Sequence, residues 1–145
     1  MSVRIEGERL VDAPRERVFQ ALTDPDVVAA TVPLVERVDV RDAENWDLVV
    51  KVPLPMAPTL KLSFSVVEKQ PPETARLHAT GGGLMGGATV DSRFDLAAEG
   101  QKTRIKFVAD LQFRGALAPA EKLLEPAAQR QAERTLDAIE RSVSS

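Results

Sequence analysis

The side chains that could do chemistry are few in this chain, and their spacing excludes more than it offers. His78 is the only histidine and there is no cysteine. A thiolate nucleophile, a disulfide and a cysteine-ligated metal are excluded by composition alone. A histidine-based metal site lacks a second histidine or cysteine to complete its ligand set. A serine nucleophile needs a base held beside it. His78, however, sits in a stretch where Ala75, Leu77 and Ala79 take the inward positions, which turns the imidazole to solvent. Asp39, Asp42, Glu44 and Asp47 are close in sequence but lack the spacing of a calcium loop. The segment Gly81-Gly-Gly-Leu-Met-Gly-Gly87 invites a phosphate-loop reading. Such loops open a helix and usually carry a lysine, whereas a strand pattern follows here and no lysine is present. Two readings of the segment remain. One is a bend or bulge in a sheet, where glycine tolerates close backbone approach. The other is a flexible lip at a cavity mouth, with Leu84 and Met85 as apolar contacts.

The elements that must position these residues follow from hydrophobic period. Val3 to Val11 reads as a strand. Pro14 then opens a short helix with Val18, Phe19 and Leu22 on one face. Asp24 as N-cap and Pro25 as first helical residue start a second helix, which Pro33 ends. From Val35 to Phe113 the period is two, giving six strands. Trp46, Leu48 and Val50 lie on one inward face, Leu60, Leu62, Phe64 and Val66 on another, and Val90, Phe94 and Leu96 on a third. The separating turns are Asp42 to Asn45, the proline loop Pro53 to Pro58, Pro71-Pro72, the glycine segment and Glu99-Gly100. Short connections make these strands antiparallel neighbours. From Pro119 to about Val143 the period returns to 3.6, with Leu124, Ala128, Ala132, Leu136 and Ile139 as an apolar stripe. Asp137 and Arg141 form an i,i+4 pair on its solvent side, and Pro126 is expected to kink it or split off its first turn. The result is an α+β chain, strand, two helices, six strands, long helix. The sheet has one apolar face, which only the last helix is large enough to cover.

The 145 residues are 43% hydrophobic with a net charge of −3, ordinary for one domain spanning 1–145. That charge argues against nucleic acid, which requires a basic face. No stretch approaches the roughly 18 apolar residues of a membrane span, and the charged N-terminus does not read as a signal peptide. The expectation is a cytoplasmic protein, with any membrane contact peripheral and at the inner face. With five Phe, one Trp and no Tyr, the interior must be filled by Ala, Val and Leu.

Three stretches carry a family resemblance: Val11-Asp-Ala-Pro-Arg-Glu-Arg-Val-Phe-Gln-Ala-Leu-Thr-Asp-Pro25, Ala79 to Thr89 with its spaced glycines, and Phe113-Arg-Gly-Ala-Leu-Ala118. Together with the element order they resemble the helix-grip (SRPBCC) superfamily, which includes START domains, Bet v 1 allergens and polyketide cyclases. Within it the chain is most similar to the CoxG group, named for the CoxG component of carbon monoxide dehydrogenase. Pro33-Leu34 stands where that group usually has Pro-Gly, Thr31 where a cysteine is common, and Thr135-Leu136 where an aromatic pair is often found. The resemblance implies a curved sheet gripping a long helix, an apolar ligand such as a quinone in the cavity between them, and a role beside a membrane-associated oxidoreductase. No cofactor or metal is expected.

The inward sets are almost wholly apolar, so the expected function is binding of an apolar small molecule, a quinone, lipid or polyketide-like ring system, rather than catalysis. The expected cavity residues are Trp46, Phe64, Leu77, Leu84, Met85, Ser92, Phe94, Phe107, Leu111, Leu124, Ala128 and Gln131. Ser92, Gln131 and Thr135 are the polar groups placed near the interior. Two other functions stay open: an adaptor with a filled cavity that docks a partner enzyme, and a cyclase- or hydrolase-type enzyme with an inward acid or base. The loop Pro53 to Pro58 reads either as a stiff connector or as an apolar rim for a membrane or partner.

Overall fold

The computed structural model describes residues 3–32, 35–51, 59–84 and 86–143, with the side chains of Ala120, Leu124 and Ala127 excepted. Strand β1 covers Val3–Val11. Helices α1, Arg15–Leu22, and α2, Pro25–Thr31, follow. Asp24 caps α2, its carboxylate accepting the Asp26 N–H at 2.9 Å. Pro14 takes the cap position of α1 rather than its first turn. The six remaining strands are β2 (Val35–Asp42), β3 (Asn45–Lys51), β4 (Thr59–Gln70), β5 (Thr74–Gly83), β6 (Gly86–Glu99) and β7 (Lys102–Gly115). They form one seven-stranded sheet in the order β1-β7-β6-β5-β4-β3-β2, every neighbouring pair antiparallel.

Pro126 breaks the C-terminal helix as its missing N–H demands. Helix α3, Ala120–Leu124, gives way to a 3-10 turn, Glu125–Ala127, and α4 runs from Ala128 to Val143. The uninterrupted helix is thus 16 residues, about 24 Å at 1.5 Å per residue. The expected bulge at the glycine segment is absent. The ladder runs unbroken from Gly81↔Ala88 to Gly83↔Gly86, and the segment is a tight hairpin. Close backbone approach is what requires glycine here. A Cβ on Gly81 would lie 1.9 Å from the Lys61 carbonyl oxygen, and Gly86 holds φ +137° against the Arg114 carbonyl.

Helix α4 buries Ala132, Thr135, Leu136, Ala138, Ile139 and Val143. It reaches the sheet through β1. There the inner face reads Val3, Ile5, Gly7, Arg9, Val11, with the two valines and the isoleucine buried. Gly7 leaves room for the helix, because a Cβ there would stand 3.0 Å from Leu136 Cδ1 and 3.4 Å from Ala132 Cβ. The Arg9 guanidinium donates to Glu133, Asp137 and Glu140 along one edge of α4. Asp137, expected on the solvent side as the partner of Arg141, is half exposed and also meets Arg9 of β1. Burial pushes the Arg9 guanidinium down, but its hydrogen bonds to Asp137 and Glu133 outweigh this and hold it above its ordinary value.

Candidate functional site

Between the inner face of the sheet and the helices lies a pocket of about 170 Å³. Its floor is built by period-two side chains from β3 to β7, including Leu62, Phe64, Leu77, Phe94 and Phe107. Phe94 and Phe107 stack across β6 and β7 with centroids 4.9 Å apart. Ile139 and Thr135 of α4 form one wall. The other wall is α2, through Val27, Val28, Thr31 and the following Val32. Five polar side chains line the pocket: Thr31, Lys51, Ser92, Gln131 and Thr135. Gln131 Nε2 donates to the Thr31 carbonyl at 2.7 Å and so ties α4 to α2. The Thr31 hydroxyl donates to the Val28 carbonyl at 2.7 Å. Ser92 Oγ donates to the Leu77 carbonyl at 3.4 Å. Lys51 belongs to the rim, its half-exposed ammonium 3.2 Å from Glu36.

Of the twelve expected cavity residues, the structure brings seven together around this space: Phe64, Leu77, Ser92, Phe94, Phe107, Leu111 and Gln131. Trp46 does not line it. It is fully buried, stacked on Phe64 at a centroid distance of 6.0 Å, and its indole nitrogen has no hydrogen-bond partner among the described residues. Leu84 sits fully exposed at the tip of the β5–β6 hairpin. Ala128 packs against the core without reaching the pocket. Met85 and the side chain of Leu124 lie outside the described residues, as do Pro33-Leu34 and the stretch 52–58. The α2 wall was missed by sequence reasoning. Its one signal is the Val27, Val28, Thr31 spacing, too short a stretch to mark a face as interior, and in the fold no residue of α2 is fully buried.

The outer face carries the groups that invited catalytic readings. His78 Nδ1 lies 2.6 Å from Asp91 Oδ1, on the exposed side of β5 and β6. The histidine has a carboxylate partner, but outside the pocket. The acidic set near the β2–β3 turn is engaged by neighbours. Asp39 meets Arg37, Glu44 meets Lys69, and Asp47 meets Ser63, Arg41 and Lys61. The Asp42 carboxyl is held below its ordinary value by the Glu44 N–H and the Asn45 amide. No group of three or more potential metal ligands forms among the described residues.

The sequence profile of CoxG, a component of carbon monoxide dehydrogenase, matches residues 7–144. The chain belongs to the CoxG family. No curated protein matches it. Solved structures are similar over nearly the whole of this CoxG-family chain. A conserved protein from Geobacillus kaustophilus superposes with TM-score 0.80 at 14% identity, over 98% of this chain and 95% of the other. The Zhui aromatase/cyclase from Streptomyces gives 0.72 at 18% identity, covering 99% and 94%. Ara h 8.0201 gives 0.67 at 14%, covering 99% and 98%. At these identities the likeness establishes the fold alone, a curved antiparallel sheet with a helix-grip arrangement. No helix among the described residues of this CoxG-family chain is long and apolar enough to cross a membrane.

Proposed function

We propose that this CoxG-family chain holds one neutral, largely apolar small molecule between its sheet and α2 and α4, as an accessory to an oxidoreductase. The pocket carries this reading. Ligand sites are mostly apolar with a few placed polar groups, and here three hydroxyls and one amide, with Lys51 at the rim, interrupt an otherwise hydrocarbon lining among the described residues. Size narrows the occupant. An engineered apolar cavity of about 150 Å³ takes benzene, so about 170 Å³ suits a single six-membered ring, that of a quinone, its quinol or a similar compound. A prenyl tail or a second fused ring would have to extend towards the Lys51 rim. The oxidoreductase role comes from the family's name, as the kind of partner such an accessory would serve.

Catalysis has less support. Lys51, paired with Glu36 at the rim, is the one ionisable side chain among the described lining residues. General acid–base chemistry needs a titratable group within hydrogen-bond reach of the reacting atoms. The test is native mass spectrometry of freshly purified protein, with thermal-shift assays against added quinones and fatty acids. We expect a co-purified apolar molecule or a concentration-dependent rise in Tm. A ligand-free protein indifferent to every addition would end this reading and favour the adaptor with an unused pocket.

A further inference from the structure

The polar groups of the pocket are not evenly divided between donors and acceptors. Three of them already donate to backbone carbonyls: Thr31 to Val28, Ser92 to Leu77, and Gln131 to Thr31. A carbonyl can only accept, so the direction of each bond is fixed by chemistry. What Thr31 and Ser92 still offer is lone pairs on their hydroxyl oxygens, while Gln131 offers its Oε1 lone pairs and the second N–H of its amide. The fourth group, Thr135, is 4% exposed. Its hydroxyl makes no hydrogen bond among the described residues, and its oxygen is not among the buried side-chain atoms sealed off without a partner. It therefore meets the space of the pocket, and an unpaired hydroxyl in an apolar site is unfavourable until something pairs with it. The one charged donor, the Lys51 ammonium, is at the rim and engaged by Glu36.

We infer that the pocket selects a neutral, ring-sized ligand bearing a hydroxyl, a phenol or an alcohol, with Thr135 as its principal anchor. This rests on the reading of the pocket as a ligand site. A ligand hydroxyl can donate to any of the four groups and can also accept from Thr135. A carbonyl-only ligand can accept only from Thr135 and the second Gln131 N–H, and leaves the acceptors of Thr31 and Ser92 unused. A hydrocarbon leaves all four unmet. Charged ligands are disfavoured, since no inner group compensates a buried charge.

The experiment compares three one-ring probes of similar size by NMR titration: 4-methylphenol, toluene and benzaldehyde. In an apolar pocket without free acceptors toluene binds better, because burying an unpaired hydroxyl is unfavourable. Here 4-methylphenol is expected to bind about fivefold or more tighter than either, the scale of one buried hydrogen bond. Thr135→Val, which swaps the hydroxyl for a methyl, should bring the three within about twofold of one another while still binding toluene. Thr135→Ser, which keeps the hydroxyl, should keep the preference. Toluene or benzaldehyde binding as tightly as the phenol overturns the selectivity but leaves the apolar pocket standing, whereas a preference undiminished in Thr135→Val overturns Thr135 as its principal anchor. If none of the probes binds, both the selectivity and the ligand site fall.

Discussion

Helix α4 has two seams, and they are built differently. Along β1 it is fixed by shape and charge together. Gly7 lets Leu136 and Ala132 close on the strand, and Arg9 gathers three carboxylates spaced at one helical turn. Along α2 it meets half-buried side chains and one hydrogen bond, Gln131 to Thr31, and no α2 residue is fully buried. The pocket lies on the second side. A fold that grips a helix on one edge and leaves the other lightly held has a natural place for a small molecule to enter without unfolding the sheet. Local stability follows buried apolar contact, so the α2 seam should open first.

The comparison can be broken most strongly at the β1 seam. Leu136 is fully buried, and Leu136→Ala should lower unfolding free energy by about 3 kcal/mol, the usual range for a truncated core leucine. Gly7→Val comes next, at about 2 kcal/mol. Its branched side chain needs space that Leu136 and Ala132 already occupy, and overpacking of this kind costs about 1–3 kcal/mol. Chemical denaturation measures both. If Gly7→Val is as stable as the parent, α4 is not seated through that glycine.

Arg9→Met should follow at about 1 kcal/mol, because the carboxylates it meets are about half exposed and exposed ion pairs contribute little. The sign of its pH dependence follows from its raised value. A cation whose folded value is raised contributes stability below its unfolded value and loses it only as pH passes the folded value, here above the ordinary guanidinium value. Amide exchange in α4, corrected for the intrinsic rate, should therefore be as protected at pH 10 as at pH 7. Alkaline loosening of α4 against β1 would show that a group other than Arg9 holds this seam.

The two seams are not equally legible in the sequence. Parity in β1 places Arg9 on the same side as Ile5 and Val11, and an inward arginine needs acid partners. Glu133, Asp137 and Glu140 supply them from one edge of the last helix, more than 120 residues away. The element order, the break at Pro126 and the outward His78 were readable because each depends on local chemistry or period. The depth of an inward residue was not. Trp46 and Phe64 are opposed inward residues on neighbouring strands, yet Phe64 lines the pocket and Trp46 is packed behind it. Period two separates inside from outside, and only three-dimensional packing separates a filled interior from an empty one. Leu84 shows the converse. An apolar residue beside glycines suggested a pocket lip, but the unbroken hairpin carries it clear into solvent.

The smallest expected effect on stability sharpens the comparison most. Gln131→Ala removes the one hydrogen bond that closes the α2 seam, a partly buried amide-to-carbonyl bond that contributes about 1 kcal/mol or less once water replaces it. Global denaturation should therefore shift only slightly. Hydrogen exchange should not respond uniformly. Amides in Pro25–Thr31 should exchange several-fold faster, while those of β1 and of Leu136 to Val143 keep their protection, since the Arg9 and Gly7 contacts are untouched. Ring-sized probes should then both enter and leave faster, because the wall that α2 provides opens more often. A uniform loss of protection across α1, α2 and α4 would mean that the helices move as one body, and the two seams would not be separable.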